Sequence, residues 1–151
     1  MDFSQVAKQL YLGTTPNAQD YHTLRGLGVR LVINLRVERP PVPDLHNPPL
    51  HTLWLPVFDT PFVPIPIYML NRGVHAALEM LADGGGVYTH CAAGVHRAPA
   101  MASAILIAQG QTPEEAMRQV KQARPIADPY IWYIKRRILR FARLWHPSPF
   151  H

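Results

Sequence analysis

Residues 86–106 read GVYTHCAAGVHRAPAMASAIL, and they decide the fold. Gly86 to Thr89 is strand-like and leads into His90 and Cys91, the only cysteine of the chain. Ala100 to Leu106 is helix-like and leads out. Between them lie small residues, one glycine (Gly94) and Arg97. This order places a thiol at the end of a buried strand and at the mouth of a helix. The intervening loop is short enough for its backbone N–H groups to converge. Such a nest, reinforced by the helix dipole, binds phosphate or a similar anion. The same field stabilises a thiolate, the form of cysteine that attacks electrophiles. Arg97 closes the ring with a planar fork suited to two phosphate oxygens.

Working outward, Gln9 to Gly13 reads as a short strand ending at a glycine. Asn17 is placed to cap a helix through Leu24, with Leu27-Gly28 as its stop. Val29 to Leu35, VRLVINL, is a β-branched run typical of a strand covered on both faces. A proline-rich loop, Arg39 to Pro49, precedes another strand, Leu50 to Val57. A second proline-rich loop runs from Asp59 to Pro66. Ile67 to Leu81 carries Leu70, Val74, Ala77, Leu78 and Leu81 on one helical face. Gly84 to Gly86 ends that helix, and Val87 to Cys91 forms the central strand. Three helices are expected beyond it, over Pro99–Gln109, Pro113–Ala123 and about Pro129–Trp145. Asp83 reads as a helix-end turn residue and Asp128 as a helix cap. Strands alternating with helices imply an α/β fold, a mostly parallel central sheet flanked by helices. Anions bind such sheets at the carboxyl ends of the strands, where Cys91 falls.

The 151 residues suit one domain spanning 1–151. The net charge of +5 favours anionic partners, but the basic residues gather only near the C-terminus, so no nucleic acid is expected. One cysteine excludes an internal disulfide and points to a reducing, cytoplasmic setting. The first residues do not form a secretory signal, and the longest apolar run, Ala98 to Ala108, is too short to cross a bilayer. No metal or cofactor is expected, because no histidine or carboxylate pair has ligand spacing backed by a second pair.

The pattern His90-Cys91, two residues, Gly94, two residues, Arg97 resembles the phosphate loop of the protein tyrosine phosphatase superfamily. The run LYLGTTPNAQDYHTLRGLGVRLVINL, residues 10–35, looks like the opening of its dual-specificity phosphatases. Ala123-Arg124-Pro125 resembles a recurring piece of their late helical region. The resemblance implies a protein tyrosine phosphatase-like fold and a cysteine-dependent phosphomonoesterase. Cys91 would be the nucleophile and form a cysteinyl-phosphate. Ala92, Ala93, Gly94, Val95, His96 and Arg97 would form the phosphate-binding loop. The substrate class would be phosphotyrosine, with phosphoserine and phosphothreonine in proteins also open. A phosphatase for phosphoinositides, phosphoglycans or nucleotides is the alternative, and a non-catalytic phosphate reader the third reading.

A leaving alkoxide needs a proton, so an acid must face the loop. Asp59 is the choice, at the carboxyl end of a strand expected beside that of Cys91; the family's acid occupies a matching loop. Asp44 is the rival, one loop earlier. His90 is expected to hydrogen-bond the loop backbone. His96 is expected to point outward, either adding positive charge below about pH 6.5 or lying on the rim without effect. Ala98 departs from the family, which places Ser or Thr there to donate to the cysteine sulfur. The last helix carries Lys135, Arg136, Arg137, Arg140 and Arg143 opposite an apolar stripe. Its basic face reads as solvated, with contact to an anionic membrane surface as the alternative.

Overall fold

The computed structural model describes residues 1–146, so the last five positions of the expected 1–151 domain lie outside the described residues. Five strands, β1 (Phe3–Ala7), β2 (Leu10–Gly13), β3 (Val29–Arg36), β4 (His51–Val57) and β5 (Gly86–His90), form one sheet in the order β1-β2-β5-β3-β4. The β2–β5, β5–β3 and β3–β4 pairings are parallel and only β1–β2 is antiparallel. The sheet is therefore mixed, and mostly parallel as expected.

Among the described residues, five helices flank the sheet: α1 (Asp20–Gly26), α2 (Ile67–Ala82), α3 (Arg97–Ala108), α4 (Pro113–Ala123) and α5 (Trp132–Leu144). On one face α1 packs Tyr21 and Leu24 with Val29, Val32 and Tyr88. On the other, Leu31, Ile33, Leu55 and Val87 meet Leu70, Val74, Met101, Ile105 and Ile138 in the main core. At the centre of that layer, α3 is buried on every side from Arg97 to Ile107. A helix apolar all round belongs inside a protein. Its alanines let neighbours approach closely.

Parallel pairing sends the carboxyl ends of β2, β5, β3 and β4 to one edge of the sheet. The segments that follow Gly13, Arg36, Val57 and His90 therefore crowd together there, and the entry to α3 lies among them.

Several details differ from expectation. Phe3–Ala7 adds an edge strand. Its side chains are mostly half-exposed, so it carries little apolar signal. Helix α3 starts at Arg97, two residues early, because its first turn is buried with the loop. Asp128 caps no helix: α5 begins at Trp132 with Ile131 as its cap, and Asp128 Oδ1 instead accepts from Tyr130 N at 3.1 Å. Strand β4 does not lie beside β5, because β3 intervenes. Finally, the cap position of α1 is Gln19 rather than Asn17; Asn17 lies two residues ahead of it, accepting from Asp20 N at 3.0 Å while its own N–H donates to Asp20 Oδ2 at 2.9 Å.

Candidate active site

The loop after β5 is held from outside by its carbonyls. Thr15 Oγ1 donates to Cys91 O (3.1 Å), Arg124 Nη2 to Ala93 O (2.9 Å) and Arg124 Nε to Gly94 O (3.1 Å). Asp128 N donates to Val95 O (2.7 Å) and Ala100 N to His96 O (3.1 Å). Among the described residues, the N–H groups of Ala92, Ala93, Gly94, Val95 and His96 donate to no protein acceptor. With the carbonyls of Cys91, Ala93, Gly94, Val95 and His96 tied outward, these donors are left for the concave side. Such a run of convergent N–H groups at the start of a buried helix is an anion nest.

Gly94 is required twice over. Its φ is +69°, a conformation that L side chains avoid. A Cβ there would also lie 2.9 Å from Arg124 Nε and 3.0 Å from the Gly13 backbone. Arg124, almost fully buried, is further fixed by Ser4 Oγ and Asp2 Oδ2, both at 3.2 Å. One guanidinium thus joins the loop to the β1 edge.

Cys91 lies at the base of the loop with 3% of its surface exposed. Its Sγ accepts from the Ala98 N–H at 3.4 Å. The backbone thus offers the sulfur a donor at the position where no side-chain hydroxyl exists. Ser103 is fully buried and its Oγ has no partner, so it does not reach the sulfur.

Arg97 is 4% exposed. Its Nη1 donates to Val57 O (3.0 Å), Leu35 O (3.4 Å) and Glu38 Oε1 (2.7 Å). The ends of β3 and β4 therefore aim this guanidinium. Its buried Nε has no partner, which leaves one edge of the fork for a ligand. Glu38 was not singled out by the sequence. The Arg97 hydrogen bond lowers its carboxyl pKa against the opposing effect of burial. Asn34 shapes the turn that presents it, accepting from Arg36 N (2.7 Å) and donating to Arg39 O (2.9 Å).

Asp59 stands at the rim, joined to the loop through a side chain. His96 Nδ1 lies 3.0 Å from Asp59 Oδ2, and Tyr133 Oη donates to Asp59 Oδ1 at 2.7 Å. His96 therefore does not point away, as the sequence suggested, but toward the carboxylate. Burial first, then the Asp59 carboxylate, push the Tyr133 phenol up to about 12, so it remains a donor. Asp44 has another task. Its covered carboxylate pairs with Arg25 and accepts from Leu50 N (2.8 Å) and His46 N (3.1 Å). Burial opposes ionisation, but these donors hold its pKa well below the usual carboxylate range. It staples the proline-rich loop.

His90 is 2% exposed and stacks on Tyr88, with ring centroids 5.9 Å apart. Its Nδ1 has no hydrogen-bond partner. Burial lowers its pKa to about 4, against a smaller pull from the Cys91 backbone. It is a neutral ring beneath the loop.

A family model of the dual specificity phosphatase catalytic domain matches residues 10–140. The chain is 29% identical to mouse dual specificity protein phosphatase 14 over 133 residues, covering 86% of this chain and 64% of that protein. It thus spans just under two thirds of that relative's length. It is 31% identical to human dual specificity phosphatase 28 over 127 residues, covering 83% and 69% of the two chains. The crystal structure of human DUSP28 superposes with a TM-score of 0.83 at 26% identity over 93% of each chain. The match takes in the strand, loop and helix around Cys91 together with the helices packed on them, and the chain belongs to the dual specificity phosphatase family.

Proposed function

We propose that the protein is a cysteine-dependent phosphatase that hydrolyses phosphotyrosine, and with it phosphoserine or phosphothreonine, in proteins. The observation that carries this reading is the pairing of Cys91 Sγ with a loop in which five carbonyls are engaged outward while, among the described residues, the N–H groups from Ala92 to His96 have no protein acceptor. The N–H groups and the open edge of Arg97 hold the three equatorial phosphoryl oxygens, where the transition-state charge gathers. The Cys91 thiolate attacks phosphorus as the bond to the leaving oxygen breaks. Asp59, delivered to the rim by Tyr133 and His96, gives that oxygen its proton. The product alcohol departs and a cysteinyl-phosphate remains. Asp59, now a carboxylate, takes a proton from water as its oxygen attacks phosphorus. The sulfur leaves as thiolate beside the Ala98 N–H, and inorganic phosphate is released. A reducing compartment, such as the cytoplasm, suits a mechanism that needs a free thiolate.

The loop carries no lysine between Cys91 and Arg97, which favours a protein substrate over a polyanionic headgroup. The test is Cys91→Ser, assayed on a small aryl phosphate. Turnover should vanish while inorganic phosphate still binds, because the nest and Arg97 are untouched. Retained turnover would end the mechanism.

A further inference from the structure

Helix α5 presents Tyr133, Arg136 and Arg137 at i, i+3 and i+4, on one side of the helix. Opposite them lies the loop that follows β4. Between the two runs a cleft of about 120 Å³, lined by Pro61, Pro64, Trp132, Tyr133, Arg136 and Arg137. Tyr133 belongs to both places: its ring lines the cleft and its hydroxyl holds Asp59. The cleft is therefore one side chain away from the proposed proton donor.

Its charge is not neutralised. Helix α5 contains no acidic residue. Arg136 is exposed and Arg137 half-buried, and among the described residues neither forms an ion pair. Asp59, the acidic group nearest in the chain to Pro61, is already engaged by Tyr133 and His96. Arg137 Nε donates to Ile65 O at 2.9 Å, which fixes the stem and leaves the two terminal nitrogens without an acceptor among the described residues. Burial, then Arg140 and Arg136, lower the Arg137 pKa, the mark of cations held together without a counter-charge. Two guanidinium groups over a small cleft walled by prolines and an indole suit a carboxylate or a phosphate.

We propose that this cleft is a second anion subsite, which takes the carboxylate or phosphate of a residue flanking the phosphorylated residue of a peptide substrate. The inference rests on the reading of the Cys91 loop as the primary phosphate site. It makes the enzyme selective for acidic or doubly phosphorylated peptides.

The experiment measures binding to the Cys91→Ser protein, so it does not depend on turnover. Three fluorescent phosphotyrosine peptides are compared, with neutral, glutamate or phosphoserine flanks. Both anionic flanks should tighten binding by about ten-fold over the neutral one, and added salt should erode the gain. The ratio between the glutamate and phosphoserine peptides identifies which anion the cleft prefers. Adding Arg136→Gln and Arg137→Gln should abolish the gain and leave the neutral peptide within two-fold. Arg136→Gln alone changes only an exposed side chain and should remove at least a third of the gain. In the presence of Cys91, Arg136→Gln alone, which touches no bond of the loop that carries Asp59, should hydrolyse a small aryl phosphate within two-fold of the native rate. Equal binding of all three peptides overturns the inference, as does a preference that survives the double substitution. Loss of binding to phosphatidylserine vesicles with unchanged peptide preference would assign the patch to a membrane and overturn it too. Failure of every phosphopeptide to bind, with inorganic phosphate unable to bind either, would instead refute the Cys91 site and this inference with it.

Discussion

The two loops that meet over Cys91 are built in opposite ways. The 91–97 loop is fastened at five carbonyls, by donors from Thr15, Arg124, Asp128 and Ala100, and its ends are buried. The loop from Phe58 to Ile65 is held, among the described residues, by few bonds: Asp59 to His96 and Tyr133, Ile65 O to Arg137, and Phe62 N to Thr60 Oγ1 at 3.3 Å. Phe62 is 89% exposed at its tip. The contrast follows the chemistry. Every phosphate ester presents the same oxygens, so the group that holds them is fixed in advance and loses little freedom on binding. Leaving groups differ in size and basicity, which suits placing the proposed proton donor on a more open segment stiffened by prolines.

Breaking each side separately should expose this division. Asp59→Asn should slow substrates with poor leaving groups by about 10²–10⁴-fold and activated phenols far less, because a proton matters most where the oxygen is basic. Inorganic phosphate affinity should stay put. An equal effect on both leaving-group classes would move the acid elsewhere. Arg124→Ala should do the reverse. The loop carbonyls lose their anchor, and misplacement by an ångström costs about 10²-fold whatever the leaving group. Phosphate affinity should fall as well. A leaving-group-dependent loss would show that Arg124 serves the acid side.

The base of the fixed loop also titrates. His90 has a folded pKa of about 4, against about 6.5 in an unfolded chain. Its stabilising contribution is complete above the unfolded value and drains away as pH falls toward 4, because only the unfolded ring then takes a proton. At pH 5 this amounts to about 2 kcal/mol. Denaturant titrations of native and His90→Asn protein at pH 7 and pH 5 should differ in pH dependence by that amount; parallel curves would refute it. The smallest effect is expected at Ala98. The N–H already donates to Cys91 Sγ, so a hydroxyl in Ala98→Ser adds one bond of about 0.5–1.5 kcal/mol, or up to about ten-fold. The gain should appear only in breakdown of the cysteinyl-phosphate, read as a smaller burst over the steady rate in rapid mixing.

The fixed side was largely legible in the sequence and the open side was not. Strand, nest and helix around Cys91 are contiguous, so their apolar runs and Gly94 announce them. Asp59 is singled out in the sequence because it follows a strand, yet its partners His96 and Tyr133 come from 37 and 74 positions away. Periodicity carries no trace of such pairings. Glu38, and the task of Arg124 in holding the loop, were hidden for the same reason. A charged residue beside prolines looks like solvated loop until the fold buries its partner. Asp44 shows the converse. It resembles a second acid in the chain, and only the folded loop reveals a carboxylate spent on Arg25 and backbone N–H groups.

The solitary cysteine also sets how the protein fails under oxidative stress. Peroxide converts a thiolate to a sulfenic acid, which most redox-tolerant sites rescue by condensing with a neighbouring thiol. This chain has no other thiol to offer. Rescue must come from a small external thiol able to enter the nest, or from the adjacent backbone nitrogen. Otherwise the sulfur climbs to sulfinic and sulfonic acids and the molecule is permanently lost. Recovery of an oxidised molecule would thus be set by how quickly an external thiol reaches one recessed atom.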